Sequence, residues 1–305
     1  MTQKILIFRR GSIGDAVVSL PALLAIRKRY PEAELRILTN ARVMGSAAPI
    51  STLLGRSNLI ADYFSLSPGD GGLNRLLVIK NIIKEWSPDK LIYLSEPSKI
   101  VSLLKEFVFF KACGIAAIEA MPFSQTLRQY LPKSDKLWES ESARLLRAIQ
   151  LPAPDEINLT FNEGEISTSE ALIKDGFNIS PFIVLCIGGK LPDKDWGDPN
   201  WRIVLEAITA EDPNMGLLLI GAEDENARSN ELASSWQGPV LNLCGKTDPR
   251  TSALAMKKAV FYLGHDTGPM HLAALMNVHC IALFSARTKP GVWFPFGDNH
   301  SIFYP

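Results

Sequence analysis

The chain has 305 residues, 47% hydrophobic and 21% charged, the composition of a globular protein long enough for two domains. Its most apolar region, IVSLLKEFVFFKACGIAAI, is broken by Lys105, Glu106 and Lys111, which argues against a membrane span. The net charge of zero conceals an asymmetry: residues 1–150 carry 21 Lys and Arg against 13 Asp and Glu (+8), and residues 151–305 carry 11 against 19 (−8). A basic first half suits an anionic partner; solvated surfaces of opposite sign are the alternative.

In chain order, strand-like and helix-like runs alternate. KILIFRR (4–10) is an apolar run ending at Gly11, too short for a secretory h-region, so a cytoplasmic protein is expected. DAVVSLPALLAIRKRY (15–30) has helical spacing, with Pro21 expected to mark a kink or restart. AELRILTN (33–40) reads as the next strand, completing a βαβ start that implies a parallel sheet under helices. LLVIKNIIKEW reads as a helix and KLIYLS (90–95) as a strand. The apolar LLKEFVFFKACGI reads first as a core helix and second as a segment that seats on a membrane.

LPAPDEINLTFNEGE (151–165), with two prolines and several acids, looks like a domain boundary, drawn after residue 154. The alternation then restarts: strands at 182–187, 216–221, 239–245, 260–264 and 280–285, helices at 200–211, 225–236, 251–259 and 268–277. Two successive α/β units create a cleft at the carboxyl ends of parallel strands, where such folds bind ligands. Cys113, Cys186, Cys244 and Cys280 are widely spaced in apolar runs without a CxxC, so buried thiols are expected rather than a zinc or disulfide framework.

Four strand-to-helix turns carry the polar chemistry. In VFYLGHDTGPMHLAAL, Pro269 suits a first helical turn and Gly268 allows close backbone approach. Thr267 or Asp266 can cap the helix, and the free N–H groups make a phosphate seat. His271, in the first turn, could donate to a phosphate oxygen; a partly buried structural histidine is the other reading. Asp266 could accept from a ribose or sugar hydroxyl, or orient a lysine or histidine. In RRGSIGDAVVSLPAL, Gly11, Ser12 and Gly14 precede Asp15 at a helix start, without the G-x-G-x-x-G of a dinucleotide site. Asp15 either caps the helix or serves as a carboxylate base.

The third turn, GGKLPDKDWGDPNW, starts at Gly188 and holds Lys190 and Lys194 beside Trp196 and Trp201. Lys194 could neutralise a diphosphate. Asp193 and Asp195 form a D-x-D around a lysine, a poor prospect for a metal. In GAEDENAR, Glu223 or Glu225 could accept from a nucleoside, or simply open a helix with acids. The HD pair at 265–266 hints at a metal phosphohydrolase, but four scattered histidines and an α/β pattern argue against it.

These motifs together resemble glycosyltransferase family 9, the heptosyltransferases of lipopolysaccharide synthesis. The resemblance rests on ILIFRRGSIGDAVVSLPAL and GKTDPRTSALAMKKAVFYLGHDTGPMHLAAL, supported by DKDWGDPNW and VWFPFGD, in family order over nearly the whole chain. It implies an α/β GT-B fold, two Rossmann-like parallel-sheet domains facing across a cleft. It assigns 1–154 to the acceptor, with Ser12 and Gly14 on the acceptor side, and 155–305 to the nucleotide sugar. It implies inverting transfer, without a metal or other cofactor, from a nucleotide-diphosphate sugar, usually ADP-heptose, to a lipid-linked or phosphorylated glycan at the inner face of the inner membrane. No nucleic-acid partner is implied. The family's base matches Asp15 and its phosphate-binding lysine matches Lys194. Its Asp-Thr-Gly and following His match Asp266, Thr267, Gly268 and His271, and its nucleoside-contacting glutamate maps to Glu225 or Glu223. One departure is that family members run past the W-x-P-x-G region into a further helical segment, whereas this sequence ends at HSIFYP, so its C-terminal segment reads as short. Two other readings are a sugar-nucleotide epimerase on the same fold, separable by product analysis without acceptor, and a nucleotide-sugar-binding protein without turnover.

Overall fold

The computed structural model describes residues 2–40, 48–66, 72–96, 98–134, 136–178, 181–189 and 194–305, with the side chains of residues 66, 72 and 73 excepted. Lys190 and Asp193 lie outside the described residues. The chain folds as two compact units, one running to Thr160 and the other starting at Phe161.

The first unit is a parallel sheet of β1 (Lys4–Phe8), β2 (Glu34–Asn40), β3 (Asp62–Leu66), β4 (Lys90–Tyr93) and β5 (Ala117–Glu119), in spatial order β3-β2-β1-β4-β5. Its helices are α1 (Ile13–Arg29), α2 (Ile50–Leu54), α3 (Gly72–Trp86), α4 (Ile100–Ala112), α5 (Gln125–Arg128) and α6 (Glu141–Ile149). β1 is central and apolar on both sides because helices cover both faces. Leu6 and Phe8 face a core cluster that includes Ile79 and Ile83 of α3 and Leu103 and Phe110 of α4. Ile5 and Ile7, alternating with them, are also fully buried.

One expectation about these helices changes. α1 runs unbroken through Pro21. The apolar side chains around Pro21, from Ala16 to Leu23, are buried, and that packing outweighs one missing backbone donor, a cost of about 3 kcal/mol. α4 is a core helix, as expected: Leu103 and Phe110 are buried in the core of the first unit with Phe107 and Phe109 packed against it, and Val101, Leu104 and Val108 lie on its exposed side.

The second unit is a parallel sheet of β6 (Phe182–Cys186), β7 (Gly216–Leu219), β8 (Val240–Asn242), β9 (Tyr262–His265), β10 (Cys280–Leu283) and β11 (Ser301–Phe303), in order β11-β10-β9-β6-β7-β8. Its helices are α7 (Glu163–Phe177), α8 (Asp198–Glu211), α9 (Asn226–Leu232), α10 (Pro249–Met256) and α11 (Gly268–Leu275). Strand order reverses at β1/β4 in one sheet and at β6/β9 in the other, the points where open parallel sheets part their loops. Both polar clusters described below stand at these points. All four cysteines are buried free thiols, and burial pushes Cys186 and Cys280 up to about 12.

Candidate active site

In the first unit the cluster begins with a charge where a buried strand ends. Arg9 follows β1 and is fully buried. One of its terminal nitrogens donates to Asp15 Oδ1 at 3.1 Å. The other donates to the Leu94 carbonyl at 2.7 Å and to Glu141 Oε1 at 3.2 Å. Glu141 opens α6 and is itself fully buried; Arg144 clamps it with bonds of 2.6 and 2.8 Å, and the Tyr130 hydroxyl donates to it at 3.0 Å. Burial alone would raise the Glu141 carboxyl, but the bonds and charges of Arg144 and Arg9 outweigh it and hold the group below the ordinary carboxylate range.

Asp15 takes the first of the two readings the sequence left open, the helix cap. It closes a capping arrangement, its Oδ2 accepting the Ser12 N–H at 2.8 Å, while its other oxygen takes Arg9. Its side chain keeps 19% exposure, so the carboxylate is anchored yet reachable. Ser12, at the helix cap, and Gly14, in the first turn, are buried. Gly11 takes a positive φ of 137°, and a β-carbon there would overlap the Asp15 carboxylate. Glu96, just past β4, is raised above the ordinary carboxylate range, chiefly by crowding out of water and then by the negative charge of Asp15.

In the second unit the loop after β6 meets the loop after β9. Lys194 Nζ pairs with Asp266 Oδ2 at 2.7 Å, with 19% and 11% of the two side chains exposed, and also reaches the Asp266 carbonyl at 3.3 Å. Asp266 is therefore the lysine's partner rather than the helix cap. Thr267 occupies the cap position of α11 but does not cap with its side chain; its hydroxyl turns back to the His265 carbonyl at 3.4 Å. Gly268 is the first residue of the helix. His271 is buried, its ring edge-on to Trp293 at 6.2 Å.

The residue that sequence reasoning missed here is His265, which it set aside with the HD pair. It is buried, its Nε2 accepts the Trp196 N–H at 3.1 Å, and its Nδ1 lies 3.4 Å from the Gly188 carbonyl. A ring that accepts at one nitrogen is neutral and carries its proton on the other. Burial lowers its pKa, in agreement with that tautomer. Trp201 packs edge-on to His265 and to Trp196, both at 5.1 Å. His265 thus ties the loop carrying Lys194 to the end of β9.

Glu225 folds back so that its Oε2 accepts the Ala222 N–H at 2.8 Å, and its carboxylate lies against Gly188 and Gly221. A β-carbon on Gly188 would overlap that carboxylate, which gives the buried glycine its role. Burial raises the Glu225 carboxyl above the usual range. Glu223 is exposed and starts the turn. Asp195 is committed to Arg228 at 2.7 Å, whose hydrogen bond holds its carboxyl below the ordinary range. Among the described residues, no group of three or more His, Cys, Asp or Glu stands together as metal ligands.

Two parallel-sheet units, each with a polar cluster at its switch point, make this an α/β protein of the GT-B class, a glycosyltransferase architecture. Residues 141–304, more than half of the chain, match the model of glycosyltransferase family 9 (heptosyltransferase), and the chain belongs to that family. The Lipopolysaccharide heptosyltransferase 3 of Escherichia coli (strain K12) is 22% identical over 308 residues, covering 94% of this chain and 83% of the relative. Among solved structures, a glycosyl transferase family 9 protein from Veillonella parvula DSM 2008 superposes with a TM-score of 0.75 at 14% identity, covering 99% of this chain and 87% of that one. E. coli ADP-heptose lps heptosyltransferase II superposes with a TM-score of 0.70 at 18% identity, covering 99% and 90%.

Proposed function

We propose that the protein transfers heptose, with inversion, from ADP-heptose to a glycan hydroxyl in lipopolysaccharide synthesis, without a metal ion. The observation that carries this reading is the Lys194–Asp266 pair at the start of α11. A lysine held there by a carboxylate faces the free N–H groups of a helix terminus, and the two together suit a diphosphate. The names of the E. coli relatives supply the donor sugar and the pathway as the reading to test.

In this mechanism the diphosphate settles on the N–H groups of Gly268 and its neighbours, and Lys194 shifts from Asp266 to a phosphate oxygen. Asp266 is then available to a sugar or ribose hydroxyl. Glu225, beside Gly188, accepts from the nucleoside. Asp15 removes the proton from the acceptor hydroxyl as that oxygen bonds to the anomeric carbon. The bond from that carbon to the diphosphate breaks on the opposite face, and ADP leaves with the electron pair, its charge met by fixed donors.

Calorimetric titration with ADP, UDP, GDP and dTDP, each with and without magnesium, tests the donor half. ADP should bind selectively and equally well in both conditions. Preference for another nucleotide, or dependence on magnesium, would overturn the donor or the metal-free step respectively. Asp15→Asn should leave ADP binding intact while lowering turnover by roughly 10²–10⁴, the usual scale for general-base loss; unchanged turnover would remove Asp15 from the role.

A further inference from the structure

We infer that Tyr262 is a positioning residue for the diphosphate: its hydroxyl donates to Thr267 Oγ1 and so directs the Thr267 proton at a phosphate oxygen. The inference rests on the proposed seat of the donor at the start of α11 and adds a residue that supports the seat from behind. Tyr262 opens β9 and is fully buried. Side chains two apart on a strand share a face. The phenol leans along β9 over Gly264, where a β-carbon would stand 2.5 Å from its oxygen. Gly264 thus leaves room for the ring, and the hydroxyl points along the strand toward the turn that carries Thr267.

That hydroxyl has no hydrogen-bond partner among the described residues. Burying an unpaired hydroxyl is unfavourable, and phenylalanine would fill the same space without it. Two side chains border the oxygen, the Cys186 thiol and the Thr267 hydroxyl. Sulfur is a weak acceptor. Thr267 Oγ1 is a stronger one, and its own bond is slack: it donates to the His265 carbonyl at 3.4 Å and does not cap α11. Burial raises the phenol well above its ordinary pKa, so it stays a neutral donor. Thr267 is half-buried, within reach of a ligand, and Tyr262 lies behind it. An arriving phosphate oxygen is a better acceptor than the His265 carbonyl, because it carries charge. Once the Thr267 proton turns to it, Tyr262 donates to Thr267 from the other side. Each bond in such a chain strengthens the next, and the phenol is paired only when the ligand is present.

The test is calorimetric titration of the whole protein with ADP and with adenosine, for wild type, Tyr262→Phe, Thr267→Val and the double variant. Tyr262→Phe should weaken ADP about three- to tenfold, the scale of one hydrogen bond, and leave adenosine within about twofold. In the Thr267→Val background the same change should weaken ADP less than about twofold, because the hydroxyl acts through Thr267. Without ligand, Tyr262→Phe should unfold at the wild-type temperature or above it, since it removes an unpaired buried group; a hydroxyl that merely held the fold would lower that temperature when lost. ADP bound equally by wild type and Tyr262→Phe overturns the inference and leaves the donor reading standing. So do losses that add fully in the double variant, or a fall in the unfolding temperature of Tyr262→Phe. A wild type that does not bind ADP overturns the donor reading and this inference with it.

Discussion

The most exacting prediction concerns Glu141→Gln. Glu141 is the acid between two buried guanidinium groups, Arg9 and Arg144, neither more than 2% exposed at the side chain. The substitution keeps the shape and one acceptor oxygen but leaves two buried cations with Asp15 as the carboxylate partner of Arg9. Removing one member of a buried ion pair costs about 3–5 kcal/mol, because the remaining charge stays buried. At about 2–4 °C per kcal/mol for a unit of this size, the transition should fall by roughly 6–20 °C in scanning calorimetry. The folded pKa of Glu141 is depressed, so its contribution is complete above the ordinary carboxylate value and is lost as pH falls through the depressed one. The gap between wild type and variant should thus be constant from neutral pH down to about 4.5 and narrow below it. A variant within about 0.5 kcal/mol of wild type, or a gap that persists undiminished in strong acid, would refute this account of the cluster.

Three further outcomes follow from the second unit. Gly188→Ala should displace the Glu225 carboxylate and weaken ADP binding about tenfold or more with little change in overall stability, as read by paired calorimetric titration and unfolding. Lys194→Ala should lower turnover by roughly 10²–10³, and an unaltered rate would detach the lysine from the leaving group. His265 is buried neutral with a lowered pKa, so its contribution is complete above about 6.5 and is lost as pH falls from there through the folded value. His265→Phe should remove that part of the acid sensitivity of unfolding and loosen the Trp196 loop; a variant with the wild-type pH profile would show that the ring is not the sensor.

The repeating strand-turn-helix pattern was readable because each buried strand is an unbroken apolar run and each turn is marked by glycine or a capping acid. β3, β5 and β11 escaped notice: the last two have three residues each, and β11 is a sheet edge with Ser301 and Phe303 exposed, so none shows a sustained apolar signal. Asp15, Lys194 and Asp266 were readable because they sit in short motifs at helix starts. Arg9 was not, since its partner Glu141 lies 132 residues away and only folding brings them together. A charge placed directly after a run of buried residues was the available hint. His265 was misjudged for a related reason. Its value lies in contacts with Trp196 and Gly188, on a loop that precedes it by about seventy residues, and adjacency to Asp266 in sequence suggested a metal motif instead.

One feature recurs in both units. A carboxylate folds over a glycine that leaves room for it, Asp15 over Gly11 and Glu225 over Gly188, and a backbone N–H at the start of its own helical turn holds it there. An acid fixed in this way has already given up its rotamer freedom during folding. Fixing a side chain at an interface otherwise costs about 0.5–1.5 kcal/mol when a ligand arrives, and here that loss is borne by the fold in advance. Under the proposed function, preorganisation of this kind would make the two glycines part of the recognition surface although neither has a side chain to offer. It also means that a remodelled variant could change what these acids bind only by first rebuilding the turns that hold them.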